Sequence, residues 1–92
     1  MFSQQQLASI DRSYFEVILA DPYDVTIRSK NTGHVWCLHN IGIPADDSLL
    51  IYHKHHISHP YHMQRREQHF RSAIKTIKSH DDYQINVRNK TE

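Results

Sequence analysis

Five histidines, His53, His55, His56, His59 and His62, fall within ten residues of a 92-residue chain that holds nine in all. A neutral imidazole offers a ring nitrogen to a transition metal. If residues 49–55 form a strand, His53 and His55 project from one face about 7 Å apart. His59 or His62 can then close over them from the turn beyond. This makes His53, His55, His59 and His62 a candidate ligand set for Zn²⁺ or Ni²⁺, with nitrogen about 2.0–2.1 Å from zinc. The stretch has no Asp or Glu to complete the shell, and it matches no standard ligand signature. Two other readings fit the same residues. One is a polar strand and turn with neutral rings. The other is a surface that becomes strongly cationic below about pH 6.5.

Other chemistry has less support. Cys37 and His39 would share one strand face as thiol and base, but a cysteine between Trp36 and Leu38 reads as core. It is the only cysteine, so an internal disulfide and a multi-cysteine zinc site are excluded. Asp46-Asp47-Ser48 lacks a nearby base. A ββα-metal nuclease would need ligands on the helix, where only His69 is expected. No glycine-rich loop is present to cradle phosphate. The expectation is therefore a protein that is not an enzyme.

The charge is distributed unevenly. Residues 1–52 carry a balance of −3 and residues 53–92 a balance of +4, around a net charge of +1. Arg71, Lys75 and Lys78 recur at helical spacing, with Gln64 and Gln68 continuing the stripe, while Lys54, Arg65 and Arg66 add charge near the strand–helix junction. Together with Tyr14, Tyr23, Trp36, Tyr52 and Tyr61, these six cations are the candidate nucleic-acid contacts: rings stack on bases and cations hold phosphates. The acidic first half and a pI near 8.0 fall short of a strongly basic footprint.

The elements that must position these groups follow from periodicity. Ser13 to Ala20, Tyr23 to Ser29, His34 to Ile41 and Leu49 to His55 alternate with period 2 and read as strands. Asp21-Pro22 and Lys30-Asn31-Thr32-Gly33 are the first two turns, and Gly42 to Ser48 is a longer loop. From Met63 the period becomes helical: Met63, Phe70, Ala73, Ile74 and Ile77 share an arc of about 100°. The helix is expected over 63–79, with a stop at Asp81-Asp82. Tyr83, Ile85 and Val87 suggest a short further strand. The expected fold is α+β: an antiparallel four-stranded meander packed by one C-terminal helix in two layers. It is one domain over 1–92, with an ordered core at about 13–88, an arm or short helix at 1–12 and a frayed tail at 89–92. The longest apolar run is four residues, Val17 to Ala20, so no membrane span or signal core is expected.

The stretch Arg28-Ser29-Lys30-Asn31-Thr32-Gly33-His34, with Tyr52-His53-Lys54-His55 and Pro60-Tyr61-His62, resembles a group of small proteins of Gram-positive bacteria and their mobile elements that has no assigned function. The resemblance implies a soluble bacterial protein and brings no catalytic residues; a cytoplasmic location is the separate expectation. By topology alone the expected fold is similar to single-strand DNA binders of the transcriptional-coactivator type, to the sheet-reading domains of some integrases and to double-stranded-RNA binding domains. None of their motifs is present, and fold does not fix function.

The functional expectation is a small non-enzymatic binding module that meets a nucleic acid or a protein partner through its basic helix face and open sheet face. The alternatives are a histidine-rich metal-binding domain and a homodimeric interaction protein. Val35, Cys37, Ile41, Leu50, Tyr52, Tyr14 and Ile18 exceed what one helix can cover, so the N-terminal arm, a second copy of the chain or a partner must cover the second face; a homodimer is the expected solution, because identical patches match under two-fold symmetry.

Overall fold

Alternating side chains give a sheet only if each strand finds a partner for its backbone, and that requirement sets the strand count here. A computed structural model of the chain describes residues 1–43 and 47–91. The order is α1 (Gln4–Ala8), β1 (Phe15–Ala20), β2 (Asp24–Ser29), β3 (Val35–Asn40), β4 (Leu49–Lys54), β5 (His62–Glu67) and α2 (Phe70–Thr91). The strands form one antiparallel sheet in the order β1-β2-β3-β4-β5. The α+β class and the meander hold, but the sheet has five strands where the sequence pattern suggests four.

The extra strand explains the discrepancy. Residues 62–67, His-Met-Gln-Arg-Arg-Glu, have helical propensity and no apolar alternation. They are nevertheless the neighbours of β4, whose Leu49, Ile51 and His53 are fully buried. A strand buried in this way cannot leave one row of N–H and C=O groups unpaired. Pairing with β5 satisfies that row, and tertiary context overrides local propensity. Met63 therefore lies in a strand, 57% exposed, and not on the buried side of a helix. A register irregularity between Ile51 and Tyr52 lets Arg65 oppose Ile51 while Met63 opposes Tyr52.

The remainder of the expected helical arc survives. Phe70, Ala73 and Ile77 are buried and Ile74 is partly buried against the core. The helix does not stop at Asp81-Asp82, because no glycine or proline follows to end it. It continues to Thr91, so the expected short strand at Tyr83 to Val87 is helical. Of the expected tail, Glu92 lies outside the described residues, as do Pro44 to Asp46 of the expected loop.

The core lies between the sheet and α2. Val25, Ile27, Trp36, Leu38, Leu49 and Ile51 meet Phe70, Ala73 and Ile77. The N-terminal segment joins this same layer. Ser3 and Gln6 form a capping box around α1. Phe2 packs edge-on against Phe70, with ring centroids 5.2 Å apart, and its amide donates to Pro22 O at 2.6 Å. The segment therefore covers the helix side and leaves the second sheet face open. Among the described residues no helix is long and apolar enough to cross a membrane.

Ile77→Ala should cost about 2–5 kcal/mol in a urea titration, since the lost methyl groups leave a cavity under the sheet. Met63→Ala should change stability by less than about 0.5 kcal/mol, as expected of an exposed side chain. A large Met63 effect would contradict its place on β5.

Candidate metal centre

The site is built where three separate parts of the chain meet. The first is the β2–β3 hairpin. Gly33 takes φ 77°, a backbone state that glycine adopts without strain. Ser29 N donates to His34 O at 2.9 Å, and Gly33 N to Ser29 O at 2.8 Å. This tight turn sends His34 inward, on the same side as Trp36. The second part is β4, where Trp36 and His53 are direct cross-strand partners. Their rings stack with centroids 4.0 Å apart and 15° between planes. The third part is α2. His80 lies three residues past the buried Ile77, on the stripe that faces the sheet, and its ring meets Trp36 edge-on at 5.2 Å.

One ring nitrogen from each of His34, His53 and His80 lies within 4.8 Å of the others. His34 and His53 are buried, 3% and 1% exposed, and His80 is half-buried. His53 Nε2 and His34 Nδ1 share a hydrogen bond, 3.1 Å apart. Two nitrogens on one tetrahedral zinc sit about 3.4 Å apart, given Zn–N of about 2.0–2.1 Å. The pair is thus close to ligand spacing. His80 Nδ1 is buried and has no hydrogen-bond partner among the described residues. A buried, unpartnered polar atom is uncommon and calls for an explanation.

The electrostatics favour the ligand form of these rings. Burial, followed by the neighbouring His80, His34, His55 and His62, pushes the His53 pKa down to about 3. Burial also lowers the pKa of His80, against the opposing pull of Asp81. Both are therefore neutral at pH 7, as metal ligation requires.

Asp81 fixes this geometry. It is fully buried. Its Oδ2 accepts from Tyr14 Oη at 2.9 Å and its Oδ1 from Thr32 Oγ1 at 3.0 Å. Thr32 Oγ1 in turn accepts from the His34 amide at 3.2 Å. The residue after one candidate ligand is thus bonded to the turn that presents another.

Of the four histidines expected to bind metal, the structure places His53 in this centre. His55 and His62 stand at its solvent side. His55 is stacked on His34 with centroids 4.4 Å apart, and His62 lies 5.5 Å from His53. His59 is on the exposed turn, where its ring lies 5.5 Å from that of His56. Sequence reasoning missed His34 and His80. The signals for them were parity with Trp36 on the third strand, and a position three residues after Ile77 on the apolar stripe.

The six candidate cations do not form one surface. Arg71 and Lys75 are exposed on α2. Lys78 turns to Asp11 at 3.6 Å and to the Tyr14 ring at 4.9 Å. Arg65 pairs with Glu67 at 3.0 Å. Lys54 and Arg66 belong to the other face of the sheet, at the register of Val35 and Leu50, and Lys54 sits over the Tyr61 ring at 4.1 Å. A phosphate chain along the helix rim would not meet Lys54. Gln64 lies in β5 and does not continue the helical stripe. Burial pushes the Cys37 thiol up, away from a thiolate, and His39 is held by Asp24 at 2.7 Å.

The depressed histidines link folding to pH. Below about pH 6.5 the unfolded chain binds protons that folded His53 refuses, so stability is full above that pH and falls as pH drops toward 3. In chelator, the urea midpoint should be lower at pH 5 than at pH 7.5. Equal midpoints would mean these rings accept protons freely in the folded state.

Comparison with known protein families, curated proteins and solved structures finds no match to this chain.

Proposed function

We propose that this protein is a small non-enzymatic metal-binding domain, and that His34, His53 and His80 bind a transition-metal ion, Zn²⁺ first among candidates. The observation that carries the reading is the convergence of three ring nitrogens, one each from His34, His53 and His80, within 4.8 Å; the His80 ring also has a buried Nδ1 with no hydrogen-bond partner among the described residues. Imidazole donors suit zinc, copper, nickel and iron, whereas Ca²⁺ and Mg²⁺ require oxygen.

The origin of the ligands supports a structural role for the ion. His34 comes from a hairpin, His53 from a central strand and His80 from the helix. An ion held by all three would cross-link positions far apart in sequence, which is how small domains with thin cores gain stability. His34 and His53 already share a hydrogen bond, but the buried His80 Nδ1 has no partner among the described residues; leaving such an atom unsatisfied is costly, and an ion held at that nitrogen satisfies it.

Tag-free protein should bind about one equivalent of Zn²⁺ in isothermal titration. Free zinc at 100 times Kd should add about 2.7 kcal/mol of stability, read as a rise in Tm. His34→Ala, His53→Ala and His80→Ala should each weaken binding by about 100-fold or more, given that even losing an outer-shell partner costs 10–100-fold. His59→Ala should leave it unchanged. Less than about a tenth of an equivalent bound, with no change in Tm on adding zinc, would refute the reading.

A further inference from the structure

Three protein ligands leave a fourth position on a tetrahedral ion, and what fills it separates two kinds of centre. A structural zinc site is closed by a fourth side chain, whereas a catalytic one keeps water there. The surroundings of the triad narrow the choice. On the inner side the Trp36 ring lies flat on His53 and offers no lone pair. Asp81, next to His80, has each carboxylate oxygen engaged, one by Tyr14 and one by Thr32. Glu67 stands at the far end of β5, opposite Leu49, where Arg65 and Thr76 hold it. Cys37 faces the other side of the sheet, in register with Thr26 and Tyr52.

The remaining donors stand at the solvent side, His55 and His62. They are not equivalent. The His55 ring is 4.4 Å from that of His34 and 4.9 Å from that of His53, so it borders two of the three ligands. The His62 ring contacts only the His53 ring among the three, at 5.5 Å. His55 is also exposed and follows directly on the end of β4, so its ring can turn without disturbing the core.

We propose that His55 is the fourth ligand, making this a closed four-histidine centre in which the metal ties the turn after β4 to the buried triad. The proposal rests on the triad binding metal at all. It has a structural consequence. The turn from His56 to Tyr61 connects His55 to β5, and Tyr61 lies under Lys54 on the open face. Capture of His55 pins one end of that turn, and metal occupancy then slows its opening.

Co²⁺ in place of zinc reports the coordination number, because four-coordinate tetrahedral cobalt absorbs visible light much more strongly than five- or six-coordinate cobalt. Wild-type protein, His55→Ala and His62→Ala would be titrated with Co²⁺ and Zn²⁺, with circular dichroism to check the fold. Wild type should give the intense tetrahedral band. His55→Ala should weaken Zn²⁺ binding at least tenfold and cut the band, whereas His62→Ala should do neither. Backbone amide exchange at residues 56–61 should slow on adding zinc in wild type and not in His55→Ala. If His55→Ala keeps both affinity and band, or if His62→Ala produces the losses instead, His55 is not the ligand and the proposal falls. If wild type binds neither ion, the triad reading itself fails, a result distinct from loss in His55→Ala alone.

Discussion

A buried carboxylate sets the register of the helix on the sheet. An apolar stripe alone would let α2 slide along the sheet by a turn at little cost, because hydrophobic contact is not directional. Asp81 removes that freedom. Its two oxygens accept from Tyr14, which precedes β1, and from Thr32, in the β2–β3 turn. A shift of one turn, about 5.4 Å, would leave a buried carboxyl group without its hydrogen-bond partners, a larger cost than a lost apolar contact. The position of His80 beside His34 and His53 follows from this bond pattern.

The sheet changes character from one end to the other. Toward Leu38 and Leu49 it is aliphatic under the helix. Toward the opposite end the same face carries Trp36 with His53 in one register row, and His34 alongside. That row continues outward to His62, the partner of His53 on β5, so imidazoles run from the interior to solvent. Burial first, and then repulsion from the neighbouring rings, holds the innermost far below its ordinary pKa. A cluster of this kind is a poor core in terms of packing and a good ligand set in terms of chemistry.

The other surfaces carry less. Arg28 pairs with Glu16 on the open face, and His39 contacts Asp24 there, so several of its polar groups already have partners within the chain. Val35, on that same face, is 1% exposed, showing that neighbouring side chains cover part of what a second layer would otherwise have to cover. The six candidate cations, Lys54, Arg65, Arg66, Arg71, Lys75 and Lys78, are divided between the two sides of the sheet. Positive charge in a sequence accumulates along the chain, whereas a binding surface requires it on one side in space.

Strand periodicity, the hairpin glycine and the apolar arc at Phe70, Ala73 and Ile77 were legible because they are local: alternation of two and recurrence of 3.6 residues reflect backbone geometry that each segment carries alone. The class of the fold and the attention drawn to His53 follow from such local patterns. The fifth strand was not legible, because residues 62–67 are a strand only by virtue of the unpaired edge of β4. The continuation of α2 through Asp81 was not legible either: an Asp-Asp pair reads as a stop, but no glycine or proline follows it, and Asp81 is held within the helix by the hydroxyls of Tyr14 and Thr32, partners far away in the chain. The candidate centre shows the same division. The sequence by itself determined that histidines crowd residues 53–62, and so drew attention to near neighbours in the chain. Only the tertiary structure decided that His34 and His80, 19 and 27 residues from His53, bring ring nitrogens within 4.8 Å of one of its own, because such convergence depends on distances across strands and between layers, which residue spacing does not encode.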